Sequence, residues 1–70
     1  MKPIRKLFVR NMRRLRKKNK LSQEALAEKL DVSLRHVQRL ESKDCPSVGL
    51  DVIAKLAKAL QAKPREFFLD

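Results

Sequence analysis

The sequence predicts an all-α domain of five short helices, and three observations carry that reading. Apolar residues recur at helical spacing in two separate stretches, residues 3–18 and 50–60. Between them, LSQEALAEKLDVSLRHVQRLE writes the same helix-start pattern twice in close succession, and Lys63-Pro64 later restarts a last short turn. The 70 residues make one domain, 1–70, which hides only about 60% of its unfolded surface and leaves little room for a large catalytic cavity.

Helix one is expected from Pro3 to about Lys18. Ile4, Leu7, Phe8, Met12 and Leu15 form its buried stripe, and the remainder is basic. Pro3 is tolerated in a first turn, and Asn19 or Lys20 supplies the turn into Leu21. At helix two, Ser22 is the N-cap and Leu26 folds back onto Leu21 as a hydrophobic staple. Val32, Ser33 and Val37 repeat the arrangement for helix three. Neither start has a full capping box, because the third helical positions are Ala25 and His36, but Glu24 suits the dipole of its helix.

Only Asp31 and Val32 separate Leu30 from Ser33, so the chain reverses sharply and a positive φ is expected near Asp31. Two helices joined by so short a turn, about 22–30 and 33–41, cross steeply in the geometry of a helix-turn-helix. Leu26, Ala27 and Leu30 face inward, with the small Ala27 where the crossing is closest. SKDCPSV reads as a loop, and helix four begins near Gly49 or Leu50. Its core face is Leu50, Ile53, Leu56, Ala57 and Leu60. Phe67 and Phe68 are adjacent and cannot both face one core, so either one packs inward and the other is the candidate contact with a second subunit, or both lie at the core edge.

Along helix three, side chains advance by about 100° per residue. Val37 and Leu40 fall on the inner side, while Arg35, Gln38, Arg39 and Ser42 cluster opposite. That outward face carries donors able to fork onto guanine or to pair with adenine in a major groove. Arg35 and Arg39 are the leading base readers, Gln38 is a candidate for adenine or a backbone contact, and Leu34 can meet a thymine methyl. Ser42 and Lys43 are weaker phosphate candidates, and His36 lies on the flank as a surface or packing residue.

From Leu21 to Glu41 the chain resembles the helix-turn-helix DNA-binding domains of the Cro and phage-repressor type, also called XRE-like. The resemblance continues beyond the motif: LRKKNKLSQEALAEKL, VSLRHVQRLE and LAKALQAKPREFF are similar, in order, to the end of helix one, the motif helices, and helices four and five of that family. It implies a five-helix, lambda-repressor-like fold and a transcriptional regulator on double-stranded DNA, bound as a homodimer to a pseudo-palindrome. It also implies an ion pair between Arg16 and Glu41, and a phosphate contact from Gln23 with the Ser22 backbone N–H, which helix-terminus chemistry favours as well. Asp31, Lys20 and Lys43 stand where the family usually has Gly, and the loop after Glu41 is one residue longer than common versions.

The formal charge of +10 is unevenly placed. Residues 1–20 hold ten Lys or Arg and no acid, whereas residues 21–70 hold eight of each sign. A basic, amphipathic helix one fits a solvated face, or long-range attraction and phosphate neutralisation toward nucleic acid. An interfacial membrane anchor fits less well, because the apolar stripe is needed inside and there is no Trp or Tyr. The same lack of aromatic platforms speaks against binding unpaired RNA. One cysteine, Cys45, excludes an internal disulfide and, without a His or Cys cluster, the usual zinc sites; it reads as a loop thiol in a reducing cytosol. No cofactor, metal or enzymatic activity is expected, since no nucleophile and base stand together. With neither an apolar span nor a secretory signal, the expected location is the cytoplasm. The competing class is a protein-interaction module, such as an antitoxin or a domain that recruits another regulator, using Phe67 or Phe68 and the basic helix.

Overall fold

Ser22 and Ser33 start two of the four α-helices among the described residues. Ser22 Oγ accepts from Ala25 N at 3.0 Å, and Ser33 Oγ accepts from His36 N at 3.1 Å, so each satisfies an N–H that a helix leaves without an internal partner. The computed structural model describes residues 3–70; Lys2, one of the basic residues of the leading segment, lies outside the described residues. In order come α1 (Ile4–Lys18), α2 (Gln23–Leu30), α3 (Leu34–Leu40), α4 (Leu50–Ala59) and a 3-10 turn (Pro64–Phe68), with no strand among the described residues. The expected α-helical fifth element is thus corrected to a 3-10 turn. Five residues opened by a proline without an N–H are too short for a sustained i→i−4 ladder. Instead Glu66 N donates to Lys63 O at 2.9 Å, while the Glu66 carboxylate accepts from Lys63 N at 2.6 Å.

Three helices end in the same way. After α1, Leu21 N donates to Arg16 O and Lys20 N to Lys17 O; after α2, Val32 N donates to Ala27 O and Asp31 N to Glu28 O; after α4, Ala62 N donates to Ala57 O and Gln61 N to Lys58 O. These paired bonds are Schellman closures, which require a left-handed residue. Lys20 and Asp31 have φ of 57° and Gln61 of 51°, so non-glycine residues take the strained position each time. The reversal at Asp31 leaves Val32 and Ser33 to lead straight into α3.

Leu26, Ala27, Leu30, Val37 and Leu40 from the motif pack with Phe8, Met12 and Leu15 of α1 and with Leu56, Ala57 and Leu60. Phe67 completes this core from the far end of the chain, its ring centroid 5.5 Å from that of Phe8. Ile4 and Leu50 are corrections, being 65% and 84% exposed despite matching the apolar periodicity. Each is the first residue of its helix, and helical side chains lean toward the N-terminus, which carries these two past the packed end. Val52 and Ile53 pack in part against the core at the start of α4 instead. Cys45 lies in the loop between α3 and α4, as expected of it, and its side chain is buried in the core. Burial pushes its thiol pKa up, opposed by the nearby positive charge of Arg5.

The C-terminal turn is fastened to α1 by polar groups. Asn11 is buried, and its Nδ2 donates to Phe67 O at 3.1 Å and Leu69 O at 2.8 Å. Arg10 Nη2 donates to the same Leu69 carbonyl at 2.7 Å. Asn19 acts similarly at the other end of α1, its Nδ2 donating at 2.8 Å to both Leu15 O and Leu60 O.

Candidate nucleic-acid interface

The outer face of α3 follows from the way its inner face is buried. Val37 and Leu40 lock the helix onto the core, which turns Leu34, Arg35, Gln38 and Arg39 toward solvent. Leu34, at 37% exposure, stands at the N-terminal end of this face, the end at which recognition helices meet base edges. His36 is half-buried at the flank. Four side chains with fork, amide and methyl chemistry therefore share one surface about ten ångströms long.

Behind this surface lies a charged cluster. Arg16 Nε donates to Glu41 Oε2 at 2.7 Å and Arg16 Nη2 to Glu41 Oε1 at 3.1 Å, a bidentate pair. Its side chains are only 11% and 2% exposed. Arg16 Nη1 also donates to Leu21 O at 2.8 Å, so one guanidinium joins α1, the entry to α2 and the end of α3. Glu41 is the C-cap of α3, where the helix dipole disfavours an acid. The Arg16 guanidinium offsets that unfavourable placement.

Gln23 has an internal partner that sequence reasoning did not supply. Its Nε2 donates to Glu41 Oε1 at 3.2 Å, leaving the second amide hydrogen for another acceptor. Ser22 accepts as the cap of α2 and keeps its own hydroxyl hydrogen. Ser42 differs: its Oγ donates to Arg39 O at 2.8 Å and accepts from Asp44 N at 3.2 Å, so its one hydrogen is held within the chain. Lys43 is exposed beside it. Asn11, which donates two hydrogen bonds to the C-terminal turn, had no signal in the sequence either, since an Asn among cations has no periodicity that would mark it.

Phe67 and Phe68 divide as adjacent residues must. Phe67 is fully buried, whereas Phe68 is 36% exposed and borders an apolar groove with Ile4, Phe8, Val48 and Ile53. Among the described residues no group of three or more His, Cys, Asp or Glu could hold a metal ion, and no helix is long and apolar enough to cross a membrane.

Searches of curated proteins and of solved structures returned no match. A family model described as helix-turn-helix matches residues 12–67, which takes in α1 from Met12 onward, both motif helices, α4 and the closing turn as far as Phe67. With its serine-capped helices, two-residue turn and exposed α3 inside that match, the chain belongs to the helix-turn-helix family of Cro/C1-type DNA-binding domains.

Proposed function

We propose that the protein is a sequence-specific regulator of transcription that places α3 in the major groove and binds as a homodimer to a pseudo-palindromic site. The observation that carries this reading is the solvent-facing set Leu34, Arg35, Gln38 and Arg39 above the buried Val37 and Leu40. Arg35 and Arg39 read guanine O6 and N7, Gln38 reads adenine, and Leu34 meets a thymine methyl. The hydroxyl of Ser22, the second amide hydrogen of Gln23 and the ammonium of Lys43 grip phosphates, helped by the free N–H groups at the start of α2. Ser42 serves this contact by shaping the loop that carries Lys43.

Reading and gripping separate experimentally once a preferred site has been selected from a random duplex pool. Arg39→Ala loses about 1–3 kcal/mol on that site and much less on scrambled duplex at the same salt concentration. Gln23→Ala weakens both duplexes more evenly and leaves the preferred bases unchanged. Equal proportional losses for Arg39→Ala on the two duplexes remove α3 as the specificity element.

The apolar groove beside Phe68 supports the homodimer, with a second copy covering Phe68 and Ile4. It equally supports a foreign protein partner, as an antitoxin or regulator-recruiting domain would have. Sedimentation decides between them. A dimeric parent that becomes monomeric as Phe68→Glu, and then binds the palindrome more weakly, supports self-association through this groove. A parent that stays monomeric on and off DNA favours the foreign partner.

A further inference from the structure

Lys6, Arg10, Arg13 and Lys17 stand at i, i+4, i+7 and i+11 of α1, which puts them in a single stripe. The stripe spans about 16 Å at 1.5 Å per residue. It forms one wall of a groove of about 850 Å³ whose opposite wall is Ser42 and Lys43, in the loop directly after α3. Glu41 is the one acid that lines this groove, and it is already held by Arg16 at 2.7 Å, by Gln23, and at 4.0 Å by Arg13. Seven Lys or Arg side chains and this one acid line the groove, so its surface is strongly positive. Arg10 alone of the four has an internal hydrogen-bond acceptor of its own, the Leu69 carbonyl.

We infer that this groove is a second phosphate-binding track, which carries the DNA backbone onward from the end of α3 along α1. The inference rests on the reading of α3 as a major-groove helix. Length and continuity select a duplex over a small phosphorylated ligand. A DNA strand presents a continuous line of phosphates, which a stripe of four cations about 16 Å long can follow, whereas a compact ligand would meet only part of the stripe. A duplex seated on α3 offers a phosphate strand near the C-terminal end of that helix, where Ser42 and Lys43 open into the groove. The excess charge of the leading segment thereby acquires a defined acceptor, and the protein covers flanking backbone that its base-reading helix does not touch.

The test replaces Lys6, Arg13 and Lys17 together by Gln, leaving Arg10 to hold Leu69. All three are exposed, and Gln is a comparable helix former, so the fold is retained and is checked by thermal melting. The control triple is Lys29→Gln, Lys55→Gln and Lys58→Gln, which removes the same charge from the hollow between α2 and α4. Binding to a mixed-sequence duplex about three turns long is followed by fluorescence anisotropy as salt is raised. The α1 triple lowers the magnitude of the salt slope by about three and weakens binding a few hundredfold at about 0.1 M salt. The control triple changes the slope by less than about one.

Equal changes from the two triples assign the effect to net charge alone and overturn the track, while leaving α3 as the DNA-binding helix. A parent that binds no duplex overturns the DNA reading itself. Vesicles of anionic lipid form a separate arm. Loss of vesicle binding in the α1 triple with duplex binding intact gives the groove to a membrane surface and likewise overturns the track.

Discussion

Arg16→Ala is expected to destabilise the fold by about 3–5 kcal/mol, and Glu41→Ala by a similar amount. A buried ion pair contributes little net energy when intact, but deleting one partner strands the other charge without a counter-ion. Here the stranded carboxylate is 2% exposed and keeps only the weaker donor Gln23 and the more distant Arg13. The stranded guanidinium keeps only Leu21 O. Small domains have about 5–15 kcal/mol in total, so either single variant is expected to melt far below the parent. Equilibrium urea unfolding of both singles and the double variant measures the coupling. Losses that add within about 0.5 kcal/mol show that the two side chains do not act as a unit.

The second large effect is expected at Phe67→Ala, about 3–5 kcal/mol, because its fully buried ring leaves a cavity between α1 and the rest of the core. Phe68→Ala is the natural comparison. With 36% of its surface exposed and its ring 6.2 Å from Phe8, it loses about 1–2 kcal/mol in the monomer. Urea midpoints for the two variants at fixed protein concentration check the contrast. Similar losses would mean that the two rings share the core, against their exposures.

Local devices were legible in the sequence because their physics is local. The Ser22 and Ser33 caps, the left-handed Asp31 and the buried Val37 and Leu40 each depend on neighbours within a turn or two. The periodicity of α1 and α4 was also legible, but it counted Ile4 and Leu50 as core because a repeat pattern does not show where the packing partner stops. Asn11 and Cys45 were not legible as core groups. What buries Asn11 are the Phe67 and Leu69 carbonyls, 56 and 58 residues away, and no spacing within α1 announces them. The outward set on α3 came from helical geometry alone, whereas pairing Arg16 with Glu41 needed the family resemblance. The internal bond of Gln23 came from neither, since it depends on where the Glu41 carboxylate comes to lie.

The fastening of the last turn to α1 also governs when the fold can appear. The motif helices make mostly local contacts, and such contacts form quickly. By contrast, Asn11 and Arg10 wait for Leu69 across 58 and 59 residues, so their contacts demand closure of nearly the whole chain. During synthesis, α2 and α3 emerge long before Phe67 can fill the core beside Phe8. Until then α3 rests on a core that lacks the Phe67 ring. The support beneath α3 is therefore completed late, when the turn that carries Phe67 folds back onto α1.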